Sequence, residues 1–289
     1  MKPAPFAYHR AESVDHACSL LVEHGEDARL LAGGQSLIAM MNLRLARPAV
    51  LIDVGRLPLD EMTIAGDTVR IGAMTRHRQL LDHPPLKASA PIFAEAVRYI
   101  AHPTIRNLGT AGGSVAHADP TAEIPALLVL LDGEVETTSP EGTRRIAATQ
   151  LFRGAFTTSL NPAEMITALH FRIPARPAGG CFLELAERDG DYALAAAGAV
   201  IQRRGPTITG AQLVLTGAES VPVRAGAIET LLVGSTPTEE LLRAVAARIA
   251  EDFSAYGDIR ASADYRRHLL AELGRRVIST AYERAGTAT

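Results

Sequence analysis

The chain has no tryptophan and only two cysteines, Cys18 and Cys181, among 289 residues. Two thiols so far apart cannot build a four-cysteine zinc site or an iron-sulfur cluster within this chain, and disulfide stapling is not expected. A basic excess is missing as well. With a formal net charge of -3 there is no broad positive field, so nucleic acid is not an expected partner and any bound anion must be held locally. No stretch approaches the roughly 20 apolar residues of a membrane span, and residues 1–10, with Pro3 and Pro5, lack the apolar segment of a secretion signal. The expectation is a cytoplasmic protein. What is there is ordinary globular material: 47% hydrophobic and 21% charged residues argue against disorder, and the length suffices for one large domain or two to three small ones.

Hydrophobic periodicity gives the organisation. Residues 6–8, 28–32 and 50–54 predict strands. Ser13 predicts the N-cap of a helix carrying Val14, Ala17, Leu20 and Leu21 on one face, stopped at Gly25, and Leu37, Met40, Met41 and Leu45 predict a second helix. This β-α-β-α-β order implies a small sheet with parallel pairs. Beyond it, a strand over 68–74, a helix over 87–100, a long glycine-bearing loop, a helix capped by Asp119 or Thr121 and running to Leu131, a hairpin of 135–138 with 143–147, and a strand over 165–173 form a second region. Residues 174–180 make the best linker. Strands over 182–186, 194–202 and 207–216 and helices over 225–233, 239–250 and 263–281 follow. The whole is an α+β chain divided into residues 1–57, 58–175 and 176–289.

Two glycine segments carry the chemistry. Ala32-Gly33-Gly34-Gln35-Ser36, ahead of Leu37, lies between a strand and a helix, where missing Cβ atoms let backbone N–H groups approach an anion and Gln35 and Ser36 add donors. A plain turn is the bland alternative. The second segment includes Arg106, Asn107, Gly109, Thr110, Ala111, Gly112, Gly113, Ser114, His117 and Asp119: glycines, hydroxyls and one cation able to wrap a diphosphate, with Asp119 and Glu123 placed to take ribose or adenine donors. Neither segment has the Gly-Lys-Ser/Thr or G-x-G-x-x-G pattern, which disfavours nucleotide kinases and Rossmann dehydrogenases. Two loops from two regions point to a long ligand in an interdomain cleft. Spacing alone leaves FAD, NAD and coenzyme A open. His102 and His117 have no neighbours at metal-ligand spacing, so no metal is expected; Arg106 can equally be an ion-pair partner, and Met40 and Met41 core.

At these residues the sequence resembles the FAD-binding medium subunits of the xanthine dehydrogenase and carbon monoxide dehydrogenase family of molybdenum hydroxylases. The segments A-G-G-Q-S at 32–36, R-N-x-G-T-x-G-G-S-x-A-H-A-D-P-x-A-E at 106–123 and G-D-Y-A at 190–193 stand in the family's order, and the likeness is best to bacterial enzymes of N-heteroaromatic compounds, quinoline oxidoreductase among them, or of carbon monoxide. The resemblance implies two N-terminal subdomains of the PCMH type, the first with the small βαβ sheet, gripping FAD between them, and a C-terminal antiparallel sheet with helices. It also implies that both glycine segments hold the FAD diphosphate, that Glu123 meets the adenosine portion, that Tyr192 lies near the isoalloxazine, and that Ile166 contacts the cofactor. Partner chains would carry two two-iron two-sulfur clusters on a small subunit and a molybdenum-pterin cofactor on a large one, in a dimer of heterotrimers. Gln35 stands where the family commonly has His, Ala111 where it often has Ile or Leu, and Ala186 or Glu187 where it has a lysine. Within this chain no acid, base or nucleophile is expected. A non-redox flavin or dinucleotide scaffold is the alternative reading.

Overall fold

The computed structural model describes residues 2–175 and 177–287. Strand β1 (Ala7–Arg10), helix α1 (Val14–His24), β2 (Ala28–Leu31), α2 (Leu37–Asn42) and β3 (Val50–Asp53) build the first unit, a three-stranded sheet in the order β1-β3-β2. Both pairings are parallel, as the alternation of strands and short helices required. Ser13 caps α1 by accepting a hydrogen bond from the His16 amide, and Gly25, at φ 53°, ends it.

The second unit opens with the hairpin β4 (Met62–Ala65) and β5 (Thr68–Gly72), of which the sequence reading contained only the second strand. Six helices follow: α3 (His77–Asp82), α4 (Pro84–Ser89), α5 (Ile92–Tyr99), α6 (Pro103–Arg106), α7 (Ala111–His117) and α8 (Glu123–Leu130). Next come β6 (Glu134–Ser139), β7 (Gly142–Ala147), α9 (Ala148–Leu151), the small pair β8 (Phe152–Gly154) and β9 (Thr157–Thr158), and β10 (Met165–Arg172). The resulting antiparallel sheet runs β4-β5-β10-β6-β7.

Three expectations are corrected here. The single helix over 87–100 is two, because Ala90, in front of Pro91, leaves the helical region at φ -143° and ψ 74°; the proline ring disfavours the helical conformation in the residue before it. The long glycine segment is not all loop but contains α6 and α7, with Gly112 and Gly113 inside α7 and Gly109 in the turn between the two. Neither Asp119 nor Thr121 caps α8: its N-cap is Ala122, while the Asp119 carboxylate accepts from the Thr121 amide at 2.8 Å and hydroxyl at 2.7 Å.

The third unit contains β11 (Ala178–Leu185), β12 (Ala195–Arg204), β13 (Thr207–Thr216) and β14 (Val223–Arg224), antiparallel in that order, then α10 (Gly226–Leu232), α11 (Glu239–Asp252) and α12 (Ala263–Thr287). The expected linker is shorter than 174–180, since β11 begins at Ala178; its Arg176 lies outside the described residues. The run Ala195-Ala196-Ala197-Gly198-Ala199 on β12 explains the packing, because small side chains let α12 lie close against the sheet. On α8 every residue is buried, Glu123 included, and its apolar run joins one continuous core holding Phe93, Phe171 and Phe182. A helix apolar all round must be enclosed on all sides. The core thereby links the second and third units and fixes the first turn of α8, where Glu123 sits.

Candidate functional site

Between the first two units lies a cavity of about 1070 Å³ whose wall continues to the β11–β12 connection of the third. Its floor is made by the two glycine segments in contact. At Gly33 a Cβ would overlap the Leu108 carbonyl oxygen and stand 2.9 Å from the Gly109 Cα, so only glycine lets the turns cross. Gly34 adopts φ 70°, the left-handed region, to turn the chain from β2 into α2. Gln35 folds back, its Nε2 donating to the Gly33 carbonyl at 2.7 Å. Among the described residues, the amides of Gly33, Gly34, Gln35 and Ser36 enter no turn or loop hydrogen bond to another backbone group. They are available to an anion.

The second segment is held rigidly from behind. Gly112 donates to the Ala73 carbonyl at 2.8 Å and a Cβ there would collide with Ala73, so α7 sits directly on the end of β5. Thr110, 2% exposed, caps α7 through its Oγ1, which accepts from the Gly113 amide at 3.1 Å. The turn stays open toward the cavity, and Gly109, Thr110, Gly112, Gly113, Ser114 and His117 line it with Ala32, Gly33, Gly34, Gln35, Ser36 and Leu37. His117 also meets the Phe156 ring at a centroid distance of 5.1 Å, and burial lowers its pKa against an opposing effect of Asp119.

Asp119, Glu123, Ile166 and Tyr192 complete the set of sequence-predicted residues on the wall. Burial pushes the Glu123 carboxyl up to about 8, with Asp119 adding to the rise, so near neutrality it is largely protonated and presents an O–H donor. Tyr192 is 60% exposed at the rim. Its loop is anchored by Gly190, at φ 81°, where a Cβ would stand 2.9 Å from the Ala101 backbone.

Arg106, Asn107 and Ala111 are not among the lining residues. The Arg106 guanidinium instead donates to the Ile100 and Ala101 carbonyls, each at 2.7 Å, closing the end of α5. Ala111 is fully buried with its amide on the Thr75 carbonyl, and Asn107 lines a separate surface cleft with Arg76, Arg78, Gln79 and Asp82. Several wall residues escaped the sequence reading. Glu164 takes a two-pronged ion pair from Arg144 (Nη2 to Oε2 2.6 Å) plus the Asn161 amide at 2.7 Å and the Thr137 hydroxyl at 2.9 Å. Met74, Leu160 and Phe156 also line the cavity, as does His77, with both ring nitrogens unpartnered. None of these belongs to a glycine motif, so no local signal marked them. No cluster of three potential metal ligands occurs among the described residues.

The glycine crossing, free amides, neutral carboxyl and volume suit a dinucleotide that is anionic in the middle and carries polar donors at one end. Comparison with known proteins agrees. Residues 4–176 match the family described as the FAD binding domain in molybdopterin dehydrogenase, and residues 181–281 the CO dehydrogenase flavoprotein C-terminal domain. The nicotine 6-hydroxylase medium subunit of Paenarthrobacter nicotinovorans is 40% identical, covering 96% of this chain and 98% of its own. Among solved structures, carbon monoxide dehydrogenase from Hydrogenophaga pseudoflava superposes with a TM-score of 0.95 at 36% identity, over 98% of this chain and 99% of that one. Quinoline 2-oxidoreductase from Pseudomonas putida 86 gives 0.94 at 32% identity, over 99% of both. The chain therefore belongs to the family of FAD-binding medium subunits of the molybdenum hydroxylases.

Proposed function

We propose that this chain is the electron-exit subunit of a three-part molybdenum hydroxylase, linking the iron-sulfur clusters of a small partner chain to an external acceptor. The observation that carries this reading is the crossing of the two glycine turns on the floor of a cavity of about 1070 Å³. When bound, FAD supplies the electron and hydride chemistry, while the protein binds and orients it. Backbone amides of Gly33 to Ser36 and the open face of Gly109 to Ser114 would receive the diphosphate. Protonated Glu123, beside Asp119, would serve the adenosine end, and Tyr192 at the rim would cover part of the isoalloxazine.

Substrate oxidation would then take place on a large molybdenum-pterin subunit, with an N-heteroaromatic compound or carbon monoxide as substrate. The relatives named for nicotine, quinoline and carbon monoxide support both choices. The same reading places the assembly, a dimer of such trimers, in the cytoplasm and divides the chain into 1–57, 58–175 and 176–289. No described helix is long and apolar enough to cross a membrane.

An absorption spectrum of the complex purified through this chain, before and after candidate substrates, tests the proposal. Releasable FAD whose bands bleach on substrate addition is the expected result. FAD that stays oxidised while substrate is turned over would mark a scaffold instead, and a preparation that takes up no FAD with its partner chains present would remove the flavin reading.

A further inference from the structure

The flavin cavity has a thin outer wall at the glycine crossing. Leu37, Met40, Ile105 and Gly109 line it from within, while Ile38, Leu43 and Leu108, from the same two segments, stand 37%, 56% and 53% exposed. The segments touch: a Cβ at Gly33 would overlap the Leu108 carbonyl oxygen, and one at Gly34 would stand 3.3 Å from the Ile38 Cγ1. At the end of α2, Arg44 takes φ 60°, a left-handed conformation disfavoured for any residue with a side chain, and Leu45 beyond it is 73% exposed. Single apolar side chains scattered over a surface are ordinary, but four large aliphatic ones on adjoining turns mark a contact surface.

Cations border the patch. Arg44 and Arg47 follow α2, and next to Leu108 opens a separate cleft of about 320 Å³ lined by Arg76, Arg78, Gln79, Asp82 and Asn107. Arg76 is fixed there, its guanidinium donating to the Leu108 carbonyl. Among the described residues only Arg78 of these four arginines has a carboxylate partner, Asp82 at 3.6 Å. An apolar centre with arginines at its edge is the composition of a protein–protein interface. Guanidiniums left without acids select a partner surface that supplies them.

We propose that this edge is the docking surface for the small iron-sulfur chain, whose apolar side chains cover Ile38, Leu43 and Leu108 while its acidic side chains enter the cleft of Arg76 and Arg78. This rests on the electron-exit reading above. The thin wall selects the iron-sulfur chain over the molybdenum-pterin chain. Electron transfer between cofactors falls steeply with distance, and a chain seated here is separated from the flavin cavity only by α2 and the turn between α6 and α7. The molybdenum centre hands its electrons to the clusters and needs no such nearness to the flavin.

The test co-expresses the three chains and purifies them through this one, as wild type, Leu43→Asp and Arg78→Glu. Leu231→Asp on α10, where the side chain is 53% exposed, is the control. Leu43→Asp and Arg78→Glu should each lose the small chain about tenfold, and with it substrate-driven bleaching of the flavin. FAD content and reduction by dithionite should stay as in wild type, because the changed side chains lie outside the cavity, and Leu231→Asp should keep the small chain. Amide hydrogen exchange in the unsubstituted protein gives a second readout that no folding defect can imitate: binding of the small chain should slow exchange over residues 37–47 and 104–109. Full retention of the small chain in both variants, or protection confined to other segments, would overturn the inference while the flavin reading stands. An equal loss in Leu231→Asp would overturn it too, since any new surface acid would then suffice. Loss of the large chain with the small one retained would overturn it in favour of a surface for the molybdenum-pterin chain. Wild type that holds FAD but no iron-sulfur chain would overturn both this inference and the electron-exit reading.

Discussion

Gly33 packs its Cα so tightly against the Leu108 peptide that a methyl group there would overlap the carbonyl oxygen. The obstacle is backbone on both sides, so neither partner can rotate away. In Gly33→Ala the turns must separate, at a cost of about 2 kcal/mol typical of overpacking. If the crossing receives the diphosphate, FAD affinity should drop about 30-fold, since each 1.4 kcal/mol is a factor of ten. Gly226→Ala, where a Cβ meets nothing within 4 Å, is the control and should leave FAD binding as it was. Equal FAD affinity in Gly33→Ala and wild type, by titration, would show that the crossing is not the binding floor.

Thr110 gives a subtler handle. Its Oγ1 holds the Gly113 amide at the start of α7, and Thr→Val keeps the shape while removing the acceptor. Loss of such a cap costs about 1 kcal/mol. Thr110→Val should lower the denaturation midpoint accordingly and lower FAD content, and Thr110→Ser should restore both. A Val variant as stable as wild type would mean that the cap contributes nothing to α7.

Much of this was legible beforehand, for physical reasons. The parallel β1-β3-β2 sheet followed from alternation of strands and short helices, which leaves few topologies, and the glycine turns from their composition. The hairpin strand β4 escaped because Met62–Ala65 is half exposed and has only two apolar side chains to alternate. The helix α7 escaped because glycine lowers helix propensity, while the bonds of Ala111 and Gly112 to the Thr75 and Ala73 carbonyls override it, and α6 escaped because it is a single turn of four residues. Arg106 was read as a fixed cation for the ligand; its proximity in sequence was real, but the carbonyls at the end of α5 claim it. Glu164 and His77 reach the cavity from elements distant in sequence, and only tertiary structure brings them there.

Arg106 therefore yields a prediction of its own. A hydrogen bond from a charged group contributes roughly 1.5–3 kcal/mol net of its exchange with water. Arg106→Ala should cost about 2 kcal/mol of stability in urea and weaken FAD binding through displacement of the second turn. Arg106→Lys should recover only part, because an ammonium cannot fork as a guanidinium does. Full stability of the alanine variant with reduced FAD affinity would instead argue for direct contact with the ligand.

Tyr192 bears on the spectrum rather than on affinity. Because the side chain is 60% exposed at the rim, its removal costs the fold little. Tyr192→Ala should retain FAD while altering the visible band shape and raising flavin fluorescence, and Tyr192→Phe should resemble wild type. Spectra identical in all three would remove Tyr192 from the neighbourhood of the isoalloxazine.

Glu123 and Glu184 set the pH response of the flavin-free protein. Burial pushes Glu184 up to about 9, with Glu123 adding to the rise, and the Glu184 Oε2 atom has no partner. Both carboxyls have folded pKa values raised above the ordinary 4.5. Their protonation thus favours the fold fully below pH 4.5, and that contribution is lost as pH rises through about 8 to 9, because the unfolded chain gives up the protons first. Glu184→Gln removes one of the two ionisations and should be more stable than wild type at pH 8 by about 2 kcal/mol, part of the several kcal/mol its shift would imply, since solvent and neighbours relax the site. At pH 4.5 and below the two proteins should unfold together. Denaturant midpoints across pH 4 to 9 measure the difference directly, and a gap that stays constant with pH would mean that Glu184 is ionised in the fold and that the buried pair does not share the proton chemistry assigned to it.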